Sequence, residues 1–103
     1  MKNFQKLMSD IYLEKDRKRG LEKTVLWLVS EVGELSELIA KNGNIDTNQD
    51  LKNNVRLELA DCIAWVFSVA NLLNIDVEEA FLEKYPFSCP RCHSLPCKCK
   101  ENI

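Results

Sequence analysis

Two pairs of acids in this chain, Glu31 with Glu34 and Glu58 with Asp61, have a spacing and a setting suited to chemistry. Each pair is spaced i, i+3, so on a helix it presents two carboxylates on one face. Both lie within apolar helical patterns, where an unpaired carboxylate is costly to bury. Four such groups converging from two antiparallel helices repel one another unless a cation sits among them. A ligand set made only of oxygen favours a hard divalent ion, Mg²⁺ or Mn²⁺. The alternative is a pair of solvated helix faces, for which the flanking apolar stripes leave little room.

A second cluster lies near the C-terminus. Cys89, Cys92, Cys97 and Cys99 follow a C-x₂-C-x₄-C-x-C pattern, and four thiolates can close a tetrahedral Zn²⁺ site. So short a segment cannot build a hydrophobic core, and metal would supply its folding energy. His93 could replace Cys97 or Cys99 as a ligand. The rival readings are a disulfide pair under oxidation and a redox-sensitive tail without fixed structure. Arg91, Lys98 and Lys100 add local positive charge, but three basic residues are weak grounds for nucleic acid as a partner.

The elements that must position the acids are helices. The spacing of Phe4, Leu7, Met8, Ile11 and Tyr12 predicts a first helix over residues 4–18, stopped at Gly20. Its end carries a charge run in which Arg19 or Lys18 could reach a substrate phosphate. A second helix spans 21–41, with Leu28, Val32, Leu35 and Ile39 on a core face and Thr24, Trp27, Glu31, Glu34 and Leu38 on an adjacent stripe. Trp27 lies one turn before Glu31, either as core packing or as an aromatic wall on which a base stacks. Gly33 sits mid-helix, where glycine costs about 1 kcal/mol relative to alanine. The close approach of another helix would account for it.

A third helix starts at about residue 48 or 50 and runs to 74. Leu51, Val55, Leu59, Cys62, Val66, Val69 and Leu73 form one face; Asn54, Glu58, Asp61, Trp65 and Ser68 form a more polar one. Trp65, one turn beyond Asp61, could border a base or pack in the core. Cys62 reads as a small buried hydrophobe, and no histidine precedes His93 to serve as its base. A short fourth helix over 76–85 opens with Asp76 and Glu79 in capping-box register and ends at Pro86.

The 103 residues suit one helical domain, 1–85, followed by a cysteine-rich tail, 86–103. A formal net charge of −2 gives no basic signature for nucleic acid. The most apolar run, 59–75, is short for a bilayer and contains Asp61 and Asn71, so no membrane partner is expected. With no apolar leader at the N-terminus, and with cysteines clustered as for metal rather than disulfides, the expected location is cytoplasmic.

Taken together, Ser30-Glu31-Val32-Gly33-Glu34-Leu35, Glu58-Leu59-Ala60-Asp61 and Asn74-Ile75-Asp76-Val77-Glu78-Glu79-Ala80 resemble the MazG-type nucleoside triphosphate pyrophosphohydrolases. That family's pattern is E-E-x-x-E, a spacer, E-x-x-D, and a short helix ending in lysine, matched here by Lys84. The resemblance covers roughly residues 10–85. It implies an all-α, four-helix bundle assembling as a homo-oligomer, dimer or tetramer. It also implies Mg²⁺ (or Mn²⁺) held by Glu31, Glu34, Glu58 and Asp61, and hydrolysis of a nucleoside triphosphate to the monophosphate and pyrophosphate. Ser30 stands where the family has the first glutamate, which puts a second metal ion or a base role there in question. Lys84, Arg19 or Lys23 could steady the phosphates, with Trp27 and Trp65 beside the base.

Two functions follow. One is a Mg²⁺-dependent pyrophosphohydrolase, in the manner of enzymes that clean the nucleotide pool. The other is a catalytically weak or inactive helical dimerisation module whose zinc tail binds nucleic acid or protein. The acidic quartet favours the first; Ser30 and the tail favour the second.

Overall fold

A computed structural model of the chain describes residues 1–100. It is all-helical: α1 spans Lys2–Arg19, α2 Leu21–Lys41, α3 Gln49–Leu72 and α4 Val77–Lys84. Gly20 separates α1 from α2 with φ 89°, a left-handed conformation that glycine adopts without steric cost. At the start of α3 the Asn48 side chain accepts a hydrogen bond from the Leu51 N–H, and at the start of α4 Asp76 accepts one from the Glu79 N–H. Each satisfies one of the amide donors left over at a helix N-terminus.

The third helix is the hub. It packs along both α2 and α1. The chain then bends by 100° into α4, which rests mainly on α1. Gln5 fixes that corner. Its side chain donates to Asn71 Oδ1 (3.0 Å) and to the Ile75 carbonyl (2.6 Å), and accepts from the Val77 N–H (3.0 Å). No single helix is long and apolar enough to cross a membrane.

The core differs from the one expected. Phe67 and Ala70 are the buried apolar side chains, whereas Val32, Ile39, Leu59, Val66 and Leu73, expected inside, are 40–50% exposed. Three helices meeting in a shallow layer cover only one side of α2 and α3. The radius of gyration is 16.4 Å, where a compact chain of this length has about 13 Å. Its accessible surface is 8142 Å², where a folded monomer of this size exposes about 6,000 Å². Gly33 also departs from expectation: a Cβ built there meets nothing within 4 Å, so no helix of this chain approaches it closely.

Candidate metal centre and adjoining cleft

The middle of α2 and the middle of α3 bring the acids together. Carboxylate oxygens of Glu31, Glu34 and Glu58 lie within 4.8 Å of one another. Glu31 and Glu58 are half-buried and Glu34 is exposed. Glu58 Oε2 is sealed from solvent and has no hydrogen-bond partner. An anionic oxygen left this way is costly, and a bound cation is the partner its chemistry calls for. Burial, then the charges of Glu34, Glu58 and Asp61, push the Glu31 carboxyl above its usual range. Asp61 does not join the 4.8 Å set; it acts on the set through its charge and lines the neighbouring cleft beside Glu31. Cys62 lies against the same charges. Burial first, then Glu31, Glu58 and Asp61, raise its thiol, which disfavours the reactive thiolate; the side chain is half-buried where full burial was expected.

The cleft holds about 360 Å³ between the C-terminal half of α1 and the polar face of α3. Glu31 and Asp61 make its acidic side, and Lys15 and Arg19 bring positive charge. Tyr12, Trp65 and Ser68 also line it. Of the basic candidates near α1, Arg19 is in the cleft wall, and Lys18 and Lys23 are not. The Arg19 guanidinium sits over the Trp65 ring, 4.8 Å from its centroid. Trp27 stacks on Trp65 and does not line the cleft. Lys84 lies away from this wall, its ammonium 5.6 Å from the Tyr85 ring centroid.

Lys15, Asp16 and Ser68 were not visible as candidates in the sequence. Lys15 and Asp16 sit in a charge run that reads as a solvated helix end. What distinguishes Asp16 is burial, and that arises only where α1, α2 and α3 meet.

In the tail the four cysteine sulfurs lie within 4.8 Å of one another, a group that could hold a metal ion. His93 is not part of it. His93 instead turns the chain, with φ 59° and its N–H donated to the Cys89 carbonyl (2.8 Å). The Cys89 N–H returns a bond to the Ser94 carbonyl (3.0 Å). The Cys92 sulfur accepts from the Lys98 N–H (3.3 Å). Backbone donors, that of Lys98 foremost, bring its thiol down to about 6. Side-chain hydrogen bonds with Cys97, Cys89 and Cys92 hold the Cys99 thiol protonated and push it up to about 12. This is a set of thiols poised to lose protons to a cation.

Comparison with known proteins gives one family. The model of the MazG nucleotide pyrophosphohydrolase domain matches residues 19–93, a span holding all four acids and the first two tail cysteines. No curated protein matches the chain.

Proposed function

The chain belongs to the MazG nucleotide pyrophosphohydrolase family, and on that premise we propose that it hydrolyses nucleoside triphosphates to the monophosphate and pyrophosphate with Mg²⁺ or Mn²⁺. The observation that carries this reading is the convergence of Glu31, Glu34 and Glu58, with one Glu58 oxygen buried and unpartnered. These three carboxylates, with Asp61 at the rim, would hold the divalent ion. Bound there, the ion would offset phosphate charge and favour attack by water.

The chain's own groups supply the rest. Glu31, which belongs to the acid group and also lines the cleft, is placed to accept a proton from water. Arg19 and Lys15 draw the polyphosphate into the cleft, because an anionic substrate needs positive charge opposite the acids. Tyr12 and Trp65 give the cleft apolar walls beside the nucleoside. Ser30 leaves one carboxylate fewer than the family pattern, which fits a single ion better than two. The tail group is read as a structural zinc site, because four sulfurs suit zinc over magnesium.

The surface excess of roughly 2,000 Å² per chain over a compact monomer is of the order that each partner covers in a large obligate interface, and the working unit is a homo-oligomer. On the exposed side of α2, Val25, Val29, Val32 and Ile39 recur at steps of four, three and seven, the spacing of a seam between paired helices.

The test is product analysis by ion-exchange chromatography. Purified chain is incubated with a panel of canonical and modified nucleoside triphosphates and Mg²⁺ or Mn²⁺, beside Glu58→Gln. Monophosphate and pyrophosphate with wild type alone support the reading. Diphosphate and phosphate would refute it. Folded, metal-loaded protein without turnover would favour the helical module whose tail binds a partner.

A further inference from the structure

Asp16 takes no part in the chemistry proposed for the cleft it lines. Three features argue against Asp16 being there for stability. It is 1% exposed, so its charge is almost fully desolvated. It stands in the last turn of α1, where the helix dipole disfavours an anion. And Oδ2 is sealed from solvent with no partner.

What Asp16 does have is one short bond. Its Oδ1 accepts from Arg19 Nη1 at 2.6 Å. The same Nη1 reaches Thr24 Oγ1 at 3.4 Å, and Thr24 is itself fully buried and anchored to the Gly20 carbonyl at 2.7 Å. The guanidinium plane is further held over Trp65. Arginine is a flexible side chain whose ordering is costly; here that cost is met before any ligand arrives. The grip is one-sided. A carboxylate paired with arginine commonly takes two parallel N–H bonds. Asp16 takes one, and among the described residues Nε and Nη2 of Arg19 donate to nothing. The free edge belongs to a side chain that lines the cleft shared with Glu31 and Asp61.

From this we propose that Asp16 is a positioning residue: by holding Arg19 through Nη1 alone, it keeps the Nε–Nη2 edge free to bind phosphate oxygens of a polyphosphate whose metal-bound portion lies at the acidic side of the cleft. An edge with two N–H groups in fixed geometry matches two phosphate oxygens, which an ammonium cannot reproduce. The inference rests on the reading that the cleft takes a nucleotide. It does not require that the nucleotide be hydrolysed.

The experiment is a binding titration of the full chain with Mg²⁺ and inorganic tripolyphosphate, followed by tryptophan fluorescence, since Trp65 lies directly under the Arg19 guanidinium. Wild type, Asp16→Asn, Arg19→Ala and the double variant are compared, with thermal unfolding recorded for each. Asp16→Asn and Arg19→Ala should each weaken binding by about tenfold, and the double variant should be no weaker than Arg19→Ala, because residues acting through one another are not additive. Asp16→Glu, which keeps the charge, should recover part of the loss. Unchanged affinity in Asp16→Asn, additive losses in the double variant, or no tripolyphosphate binding by wild type would each overturn the proposal. Should Asp16→Asn not fold, Asp16→Glu decides. It keeps the charge but moves the carboxylate by one methylene; binding weakened beside Arg19 and not beside Arg19→Ala supports the assignment, and undiminished binding overturns it. Nucleotide turnover plays no part in this readout, so its absence would sink the enzymatic reading and leave this result to stand or fall alone.

Discussion

Trp27 and Trp65 lie face to face, ring centroids 5.8 Å apart and planes 9° from parallel. One belongs to α2, a turn before Glu31, and the other to α3, a turn after Asp61. The stack therefore holds together, at one end, the two helices that carry the acids. Trp27→Ala should lower stability by about 1 kcal/mol, the worth of an aromatic pair beyond its buried area, and leave Mn²⁺ affinity within a factor of two or so, since the ring supplies no ligand. Urea unfolding and a metal titration measure the two. A large loss of metal affinity would show that the stack sets the ligand geometry.

Glu58→Gln should separate function from stability. It removes one ligand charge, so Mn²⁺ affinity and turnover should fall by about 100-fold or more. Without metal, the same change relieves repulsion within Glu31, Glu34 and Glu58 and should raise stability by about 1 kcal/mol, as neutralising a strained functional site often does. Metal-free unfolding of both proteins tests this. A less stable variant would mean that the Glu58 charge already has a partner.

The raised Glu31 carboxyl makes a signed prediction about pH. In the unfolded chain Glu31 titrates near its ordinary value, and in the folded, metal-free protein it titrates higher. Between those two values the folded state binds more protons, so stability falls as pH rises through that window. Metal-free protein should thus gain from mild acid at this position. Metal binding has the opposite dependence, because the ion needs the deprotonated carboxylate. Mn²⁺ affinity should weaken as pH drops through the raised value, with proton release on binding. Calorimetry in buffers of differing ionisation enthalpy measures that release; none at any pH between the ordinary glutamate range and neutrality would contradict a raised Glu31.

The two acid pairs, the cap at Asp76 and the tail cysteines were legible in the sequence because each is a local pattern with a local cause. The Asp16–Arg19–Trp65 corner was not. Its residues come from α1 and α3, and in the chain Asp16 looks like one more charge in a solvated run. The core was misjudged for a related reason. Helical spacing of Leu59, Val66 and Leu73 says that these side chains need cover; it does not say which chain provides it. Phe67 and Ala70, the residues that α3 does bury, fall outside the expected face.

Thiol reactivity should follow the backbone around the tail. The Cys92 thiol, brought down to about 6 by its N–H donors, is largely thiolate at neutral pH in metal-free protein. Cys99, pushed up to about 12, is not. Iodoacetamide at neutral pH should alkylate Cys92 well before Cys99, since the thiolate is the nucleophile. Zn²⁺ should protect both. Peptide mass mapping over time gives the order. Equal rates without metal would remove the basis for a preformed tail site, and failure of Zn²⁺ to protect would remove zinc. Helical circular dichroism should change little on chelation, because α1 to α3 pack on one another without the tail.

Gly33 offers the sharpest test of assembly. Within one chain nothing lies within 4 Å of a Cβ at this position, and the backbone carries no positive φ there. By helix propensity alone, Gly33→Ala should stabilise an isolated chain by about 1 kcal/mol. The neighbouring Val29 and Val32 are exposed apolar residues on α2. If a second copy pairs along this helix, the glycine marks where two backbones come closest, and an added methyl group must be accommodated by separating them. The expected outcome is therefore a loss: Gly33→Ala should weaken self-association by about 1–3 kcal/mol, the usual cost of overpacking a fitted contact. Sedimentation over a concentration series measures the association and urea unfolding the stability. Tighter or unchanged association with a more stable fold would place the interface elsewhere, with the exposed face of α3, where Leu59, Ile63 and Val66 stand, as the remaining seam.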